Sequence, residues 1–160
     1  MASSYAHIGC CIDGSPCGAA ALDSAVALWR ASGGRLSLVH VGPYPLALEQ
    51  TDGTTLSRRE GLNASARDWL RRRASEIPGA DPVFLQGVRG PATCAWAEGT
   101  DVDLIVVGAG SGRIPGLMPG EYVHHLLEHA PCSVLVVRPG RRACAGGIGK
   151  AGAAVGSAKR

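Results

Sequence analysis

Short apolar runs alternate with longer amphipathic stretches along this chain of 160 residues. The short runs have the length and composition of β-strands, and the run at 102–108 has the continuous apolar character of a strand buried on both faces. In the run at 35–41, Leu36 and Leu38 fall on one face and Val39 and Val41 on the other. Five strands are predicted, at 6–13, 35–41, 82–88, 102–108 and 133–139.

Helices are predicted between the strands, because apolar residues recur there at nearly every 3.6 positions. The first helix has clear start and stop signals: Ser15 can cap it, Pro16 suits its first position, and Gly33 follows its end. Residues 42–56 have the composition of a loop. The predicted helices are 16–32, 57–76, 91–97 and 121–130.

This alternation predicts a single α/β domain with a five-stranded parallel sheet and helices on both faces, because crossover connections are right-handed. In such sheets, ligands bind beyond the carboxyl ends of the strands, where the strand order changes direction. Asp13, Val41 and Gly108 all stand at predicted strand ends. This coincidence is the strongest indication of a binding site.

Composition narrows the class of protein. A hydrophobic content of 46% and a charged content of 18% are typical of a soluble globular domain. The chain has no run of 18 apolar residues, and its first residues lack a basic region followed by a long apolar stretch. We therefore expect a cytoplasmic protein that does not enter a membrane.

The charge is unevenly distributed. Residues 139–160 hold five of the 16 basic side chains and none of the 13 acidic ones, so the remainder is slightly acidic. A nucleic-acid-binding domain needs a concentrated basic face on the fold itself, so no specific nucleic-acid partner is expected. We predict a domain at 1–139 followed by a disordered, basic, Gly/Ala-rich tail at 140–160.

Candidate catalytic and metal-binding groups are few. The six cysteines form no CxxC pair and are interpreted as buried free thiols, with adjacent Cys10 and Cys11 on opposite strand faces. Cys17 follows a helix start, which leaves a thiol redox sensor as an alternative. His125 and His129 have the spacing of a metal pair but no evident third ligand. We therefore expect neither a metal site nor an enzyme.

Two long segments resemble the universal stress protein family. The stretch CIDGSPCGAAALDSAVALWRASGGRLSLVHV resembles the family's opening, with a strand ending in DGS and a second ending in HV. The stretch from Gly90 to Gly140, with DLIVVG before a glycine loop and HAPC before the last strand, resembles its second half. The resemblance implies a five-stranded sheet, a homodimer without turnover and, in one branch of the family, an ATP site.

The resemblance also implies which residues hold ATP or another adenine nucleotide. Asp13 and Val41 would hold adenine and ribose, and the phosphates would lie on a loop of pattern G-x-x-G-x9-G-S/T. Glycines let backbone amides approach phosphate oxygens, and the helix that follows adds partial positive charge. The implied site residues are Asp13, Val41, Gly108, Gly110, Ser111, Gly112, Gly120, Glu121 and Tyr122.

The glycine loop departs from that pattern. Ser111 stands where the second glycine belongs, Gly120 comes one residue early, and Glu121 replaces the hydroxyl. A carboxylate about 4 Å from a phosphate repels it by about 4 kcal/mol at an effective dielectric near 20.

Several interpretations of Glu121 stay open. A Mg²⁺ ion could bridge Glu121 to the phosphates, or Ser111 or Tyr122 could supply the hydroxyl. Alternatively, Glu121 is only a first-turn acid that stabilises a helix, and the protein binds no nucleotide and acts through its dimer surface.

Overall fold

The computed structural model describes residues 5–42, 53–110 and 120–139, and for residues 53–57 and 59 the backbone alone. Within these ranges, five strands alternate with four helices. In chain order they are β1 (His7–Cys11), α1 (Pro16–Ser32), β2 (Arg35–Gly42), α2 (Gly53–Ser75), β3 (Ala80–Gln86), α3 (Arg89–Gly99), β4 (Leu104–Gly108), α4 (Glu121–His129) and β5 (Ser133–Val137).

The strands form one parallel sheet in the order β3-β2-β1-β4-β5. The chain builds outward from β1 through β2 to β3, then crosses over and builds outward again through β4 to β5. The strand order therefore reverses between β1 and β4, which is where open parallel sheets bind ligands. The predicted α/β fold is confirmed.

Two apolar layers enclose the sheet. Leu36 and Leu38 of β2 join α1 and α2 in one core, and Val39 joins α3 and α4 in the other. Cys10 and Cys11 likewise point to opposite cores, as the sequence predicts. The four residues 104–107 of β4 are all buried, which confirms a central strand covered on both faces.

The first helix has the ends that its sequence predicts. The hydroxyl of Ser15 accepts a hydrogen bond from the backbone N–H of Gly18 at 3.1 Å, and Pro16 occupies the first helical position. At the other end Gly33 adopts φ 71, and its N–H donates to the Trp29 carbonyl at 2.9 Å.

Several predicted boundaries are wrong. Strand β1 ends at Cys11 rather than at residue 13, β4 begins at Leu104 rather than at 102, and β5 ends at Val137 rather than at 139. Helix α2 begins at Gly53, so the last residues of the predicted loop at 42–56 are helical. Glycine and threonine are weak helix formers, but extending an existing helix over them adds a hydrogen bond per residue. Strand β3 spans Ala80–Gln86 rather than 82–88, because an edge strand tolerates Pro82. Helix α3 is also longer than predicted, at Arg89–Gly99.

Two further predictions concern membrane-spanning helices and the C-terminal tail. Of the helices in the described ranges, none is both long and apolar enough to cross a membrane. The tail predicted at 140–160 lies outside the described residues.

Candidate functional site

The carboxyl ends of β1, β2 and β4 lie side by side, because β1 pairs with both neighbours. Cys11 is level with Val39 of β2 and with Val107 of β4. Asp13 comes two residues after Cys11, Val41 comes two residues after Val39, and Gly108 directly follows Val107. The structure therefore brings the three predicted strand-end residues to one edge of the sheet, at the point of strand-order reversal.

The backbone N–H and C=O of Val41 point past the end of β1. In a parallel sheet the N–H and C=O groups of successive residues point alternately to the two neighbouring strands. The carbonyl of Val39 accepts from the N–H of Ile12 at 2.9 Å, so Val41 also points toward β1. Strand β1 has ended at that level, and none of the described loop residues after it bonds Val41. The N–H and C=O of Val41 therefore have no partner on this side among the described residues.

Asp13 is held at the N-terminus of α1. Its Oδ1 accepts hydrogen bonds from the N–H of Ser15 at 3.0 Å and from the Ser15 hydroxyl at 2.5 Å. No donor among the described residues reaches its Oδ2, and the side chain is exposed. Because one oxygen is fixed and the other faces solvent, Asp13 can accept a hydrogen bond from a hydroxyl or amine of a ligand. Sequence reasoning identified Asp13 but not this role of Ser15.

The packing of α1 against β4 requires a glycine at position 108. A Cβ placed on Gly108 would lie 2.5 Å from the backbone carbonyl oxygen of Cys17 and 2.9 Å from its Cβ. The first turn of α1 therefore rests directly on the end of β4. The sequence predicts Gly108 as a close approach for phosphate, whereas the structure gives a close approach for a helix.

The two described ends of the glycine loop adopt backbone conformations that favour glycine. Gly110 has φ 67 and Gly120 has φ 111. The N–H of Ala109 donates to the carbonyl of Val137 at 2.8 Å, which ties the start of the loop to β5. Predicted site residues Ser111 and Gly112 lie outside the described residues. Gly120 caps α4 without a side-chain hydrogen bond, so the N-terminal amides of α4 are not used by its cap residue.

The first two residues of α4 point in different directions. Glu121 is exposed in the first turn, where its charge favours the helix. The Tyr122 hydroxyl lies 3.0 Å from the Thr93 hydroxyl, which in turn donates to the carbonyl of Arg89 at 2.8 Å. Since Thr93 has one proton, Tyr122 is the donor between them. This hydroxyl joins α4 to α3, which weighs against the alternative that Tyr122 supplies a hydroxyl to a phosphate.

Comparison with known proteins identifies the family. The model of the universal stress protein family matches residues 4–138. This chain belongs to the universal stress protein family. A relative from Thermus aquaticus, the universal stress protein in QAH/OAS sulfhydrylase 3'region, is 34% identical over 133 residues, which cover 79% of this chain and 93% of the relative.

Solved structures of the universal stress protein family share the fold. Universal stress protein UspA from Lactobacillus plantarum has a TM-score of 0.73 at 25% identity, and the match covers 84% of this chain and 98% of that one. A universal stress protein in complex with cAMP has a TM-score of 0.58 at 22% identity, covering 84% of this chain and 98% of that one. An Arabidopsis thaliana member with AMP bound has a TM-score of 0.60 at 15% identity, covering 85% and 93%.

A positive charge at this edge escaped the sequence prediction. Arg138 directly follows β5, is exposed, and comes one residue after Val137, which pairs with Gly108. The sequence places Arg138 only within the last predicted strand, at 133–139. Parallel pairing of β4 with β5 is what brings Arg138 to the start of the glycine loop, and such a charge attracts phosphate.

The five cysteines within the described ranges are buried or half-buried. Cys10, Cys11 and Cys17 are buried, and burial raises the pKa of Cys11 to about 11 and also raises the pKa of Cys10. Burial likewise raises the pKa of the half-buried Cys94 and Cys132. A thiol with a raised pKa is a poor nucleophile at neutral pH, which weighs against redox sensing by these four residues.

The predicted histidine pair has a packing role. The rings of His125 and His129 lie 4.6 Å apart, and the His125 ring packs so closely on Gly90 of α3 that a Cβ there would overlap it. Across residues 5–42, 53–110 and 120–139, no three His, Cys, Asp or Glu side chains gather as metal ligands would.

Proposed function

We propose that this universal stress protein is a non-catalytic, cytoplasmic module that binds an adenine nucleotide at the carboxyl edge of its sheet. The observation that carries the proposal is the convergence of Asp13, Val41 and Gly108 where the strand order reverses. The cAMP and AMP complexes of proteins with this fold support the choice of an adenine nucleotide.

The adenosine part of the ligand has complementary groups on the protein. The Val41 N–H and C=O point past the end of β1, and adenine offers both acceptors and a donor along one edge of its ring. Asp13 Oδ2 accepts from a ribose hydroxyl, and its charge makes that hydrogen bond roughly twice as strong as a neutral one. The base is thereby held by β2 and the sugar by the turn between β1 and α1, independently of any phosphate contact.

The phosphates are proposed to lie between the start of the glycine loop and the N-terminus of α4. Gly110 and Gly120 take left-handed backbone conformations there, and the α4 amides and Arg138 favour an anion. At the far end of the loop, the negative charge of Glu121 repels the β- and γ-phosphates that ATP would place there. We therefore propose that AMP and cAMP bind more tightly than ATP when no Mg²⁺ is present.

The protein is also proposed to form a homodimer through β5. This strand lies at the edge of the sheet, as the sequence predicts, and Leu135 is 37% exposed on it. An apolar strand at an open edge readily pairs with a second copy. Light scattering at micromolar concentration should then give twice the chain mass of 16.4 kDa.

Isothermal titration calorimetry of the wild type and of Glu121→Ser tests the nucleotide proposal. We expect AMP to bind both proteins equally, and ATP to bind Glu121→Ser at least about tenfold more tightly, since a third of the estimated repulsion is worth about 1.4 kcal/mol. Glu128→Ser, which removes a charge from the other end of α4, is the control and should leave both affinities unchanged.

The remaining outcomes separate the alternatives. If Glu121→Ser weakens ATP binding only with Mg²⁺ present, Glu121 is a metal partner and the ATP site is intact. If neither nucleotide binds either protein, the site is empty, and the protein acts through its dimer surface instead.

A further inference from the structure

Asn63 carries a buried polar atom without a partner. The side chain lies on α2 and is 5% exposed, and its Oδ1 has no hydrogen bond. Nearly all buried polar atoms in folded proteins are paired, because an unpaired one has lost its hydrogen bonds to water without replacement. Asn63 also shares a helix face with Ala66 and Leu70, where an apolar residue would be expected. The structure thus keeps an acceptor at a position where packing alone favours a hydrocarbon.

This acceptor stands at the end of β2, beside the proposed adenine site. A Cβ placed on Gly42 would lie 2.7 Å from Asn63 Oδ1 and 2.5 Å from Phe84 Cζ. Gly42 directly follows Val41, whose backbone N–H and C=O point past the end of β1. The absence of a side chain at Gly42 is therefore what lets the Asn63 oxygen reach this edge of the sheet.

Neighbouring donors are engaged elsewhere. The Nδ1–H of His40 donates to the carbonyl of Ile12 at 2.8 Å. The guanidinium of Arg67 lies over the Phe84 ring at 4.6 Å, a cation–π contact. Among the described residues no donor lies within hydrogen-bond distance of Asn63 Oδ1, so a bound ligand can supply the donor.

We propose that Asn63 Oδ1 accepts a hydrogen bond from the exocyclic amine of adenine, and that Asn63 is the residue that selects a 6-aminopurine at this site. The proposal rests on the proposed function. The amine of adenine has two N–H groups, so one can bond the protein at Val41 while the other bonds Asn63. A purine that lacks the amine would leave the Asn63 oxygen buried and unpaired, and sites of this kind strongly reject such analogues.

Calorimetry with AMP and with purine riboside 5′-monophosphate, which lacks only the amine, tests the proposal. The wild type should bind AMP at least about tenfold more tightly than the analogue. Asn63→Leu, of similar size but apolar, should lose that preference by weakening AMP while leaving the analogue unchanged or tighter. Ser65→Ala, at an exposed position on the same helix, is the control and should keep the preference.

A purely structural role for Asn63 gives a different result. Asn63→Leu would then change the affinity for both ligands by the same factor, and equal wild-type affinities for AMP and the analogue would also overturn the inference while leaving the proposed function standing. If the wild type binds neither ligand, the proposed function is wrong, and the inference, which rests on it, is wrong as well. The wild-type comparison needs no variant, so it decides the matter even if Asn63→Leu does not fold.

Discussion

The Asp13 carboxylate rests on the backbone of Gly18. A Cβ placed on Gly18 would lie 2.6 Å from Asp13 Oδ1 and 3.2 Å from the Asp13 nitrogen. Ser15 bonds both residues, since its hydroxyl donates to Asp13 and accepts from the Gly18 N–H. The Ser15 hydroxyl therefore both caps α1 and positions Asp13 for the proposed ribose contact. This arrangement can form only with glycine at position 18.

Gly18→Ala is expected to displace Asp13. Alanine is the better helix former by about 1 kcal/mol, but the contact at 2.6 Å forces the carboxylate away from Ser15 and outweighs this gain. We expect a net loss of stability of about 1–2 kcal/mol in urea unfolding, with AMP affinity reduced at least about tenfold.

Gly61→Ala is the matched control for that variant. Gly61 lies inside α2, and a Cβ there would meet nothing within 4 Å. The control should stabilise the protein by about 0.5–1 kcal/mol and leave AMP binding unchanged. If Gly18→Ala, like Gly61→Ala, is more stable than the wild type and binds AMP equally well, the contact of Asp13 with Gly18 matters neither for stability nor for AMP binding.

Gly108→Ala distinguishes packing from phosphate binding. The new methyl group would meet the carbonyl oxygen of Cys17 at 2.5 Å, and backbone on both sides leaves little room to adjust. We expect the nucleotide-free protein to lose about 1–3 kcal/mol of stability in urea unfolding. Unchanged stability without nucleotide, together with weaker ATP binding, would instead support the phosphate role that the sequence predicts.

Most of the fold could be predicted because its signals are local. The Ser15-Pro16 start and the Gly33 end of α1 depend on backbone preferences within a few residues. The misplaced start of β3 depends on the edge position of that strand, which no local pattern records. The sequence prediction started this strand at Pro82, because proline and glycine just before it end the preceding helix. In the structure Pro82 lies inside β3, which an edge strand tolerates.

The site was predictable only in part, because several of its residues act through partners distant in sequence. Asp13 and Val41 could be identified from strand ends. The contact between the Tyr122 hydroxyl and Thr93, 29 residues away, could not be predicted from the sequence. Asn63 was missed although one signal was available, a polar residue on the apolar face of α2.

Tyr122→Phe tests whether the Tyr122 hydroxyl stabilises the fold rather than binding a phosphate. The variant removes the hydroxyl that donates to Thr93 and leaves the ring in place, so we expect a loss of about 1 kcal/mol in the free energy of unfolding. Affinities for ATP and AMP should not change. A double-mutant cycle with Thr93→Val checks the pairing, and a coupling energy near zero would mean that the two hydroxyls do not stabilise each other.

Alkaline pH should destabilise the protein through its buried thiols. Burial raises the pKa of Cys11 from 9.0 to about 11, so the folded state keeps a proton that the unfolded chain releases. The associated stability is therefore present in full below pH 9 and is lost as the pH rises toward 11, by about 2 kcal/mol at pH 10.5. Cys10, whose pKa burial also raises, adds to the loss in the same direction.

Urea unfolding under reducing conditions at several values between pH 8 and pH 10.5 measures this loss. Cys11→Ala removes one of the titrating thiols, so its free energy of unfolding should fall less steeply above pH 9 than that of the wild type, whatever its stability at pH 8. Cys132→Ala is the comparison, because this half-buried thiol should contribute a smaller part of the slope. If the wild type and Cys11→Ala lose stability in parallel above pH 9, Cys11 ionises as readily in the folded protein as in the unfolded chain, and the buried environment assigned to it here is wrong.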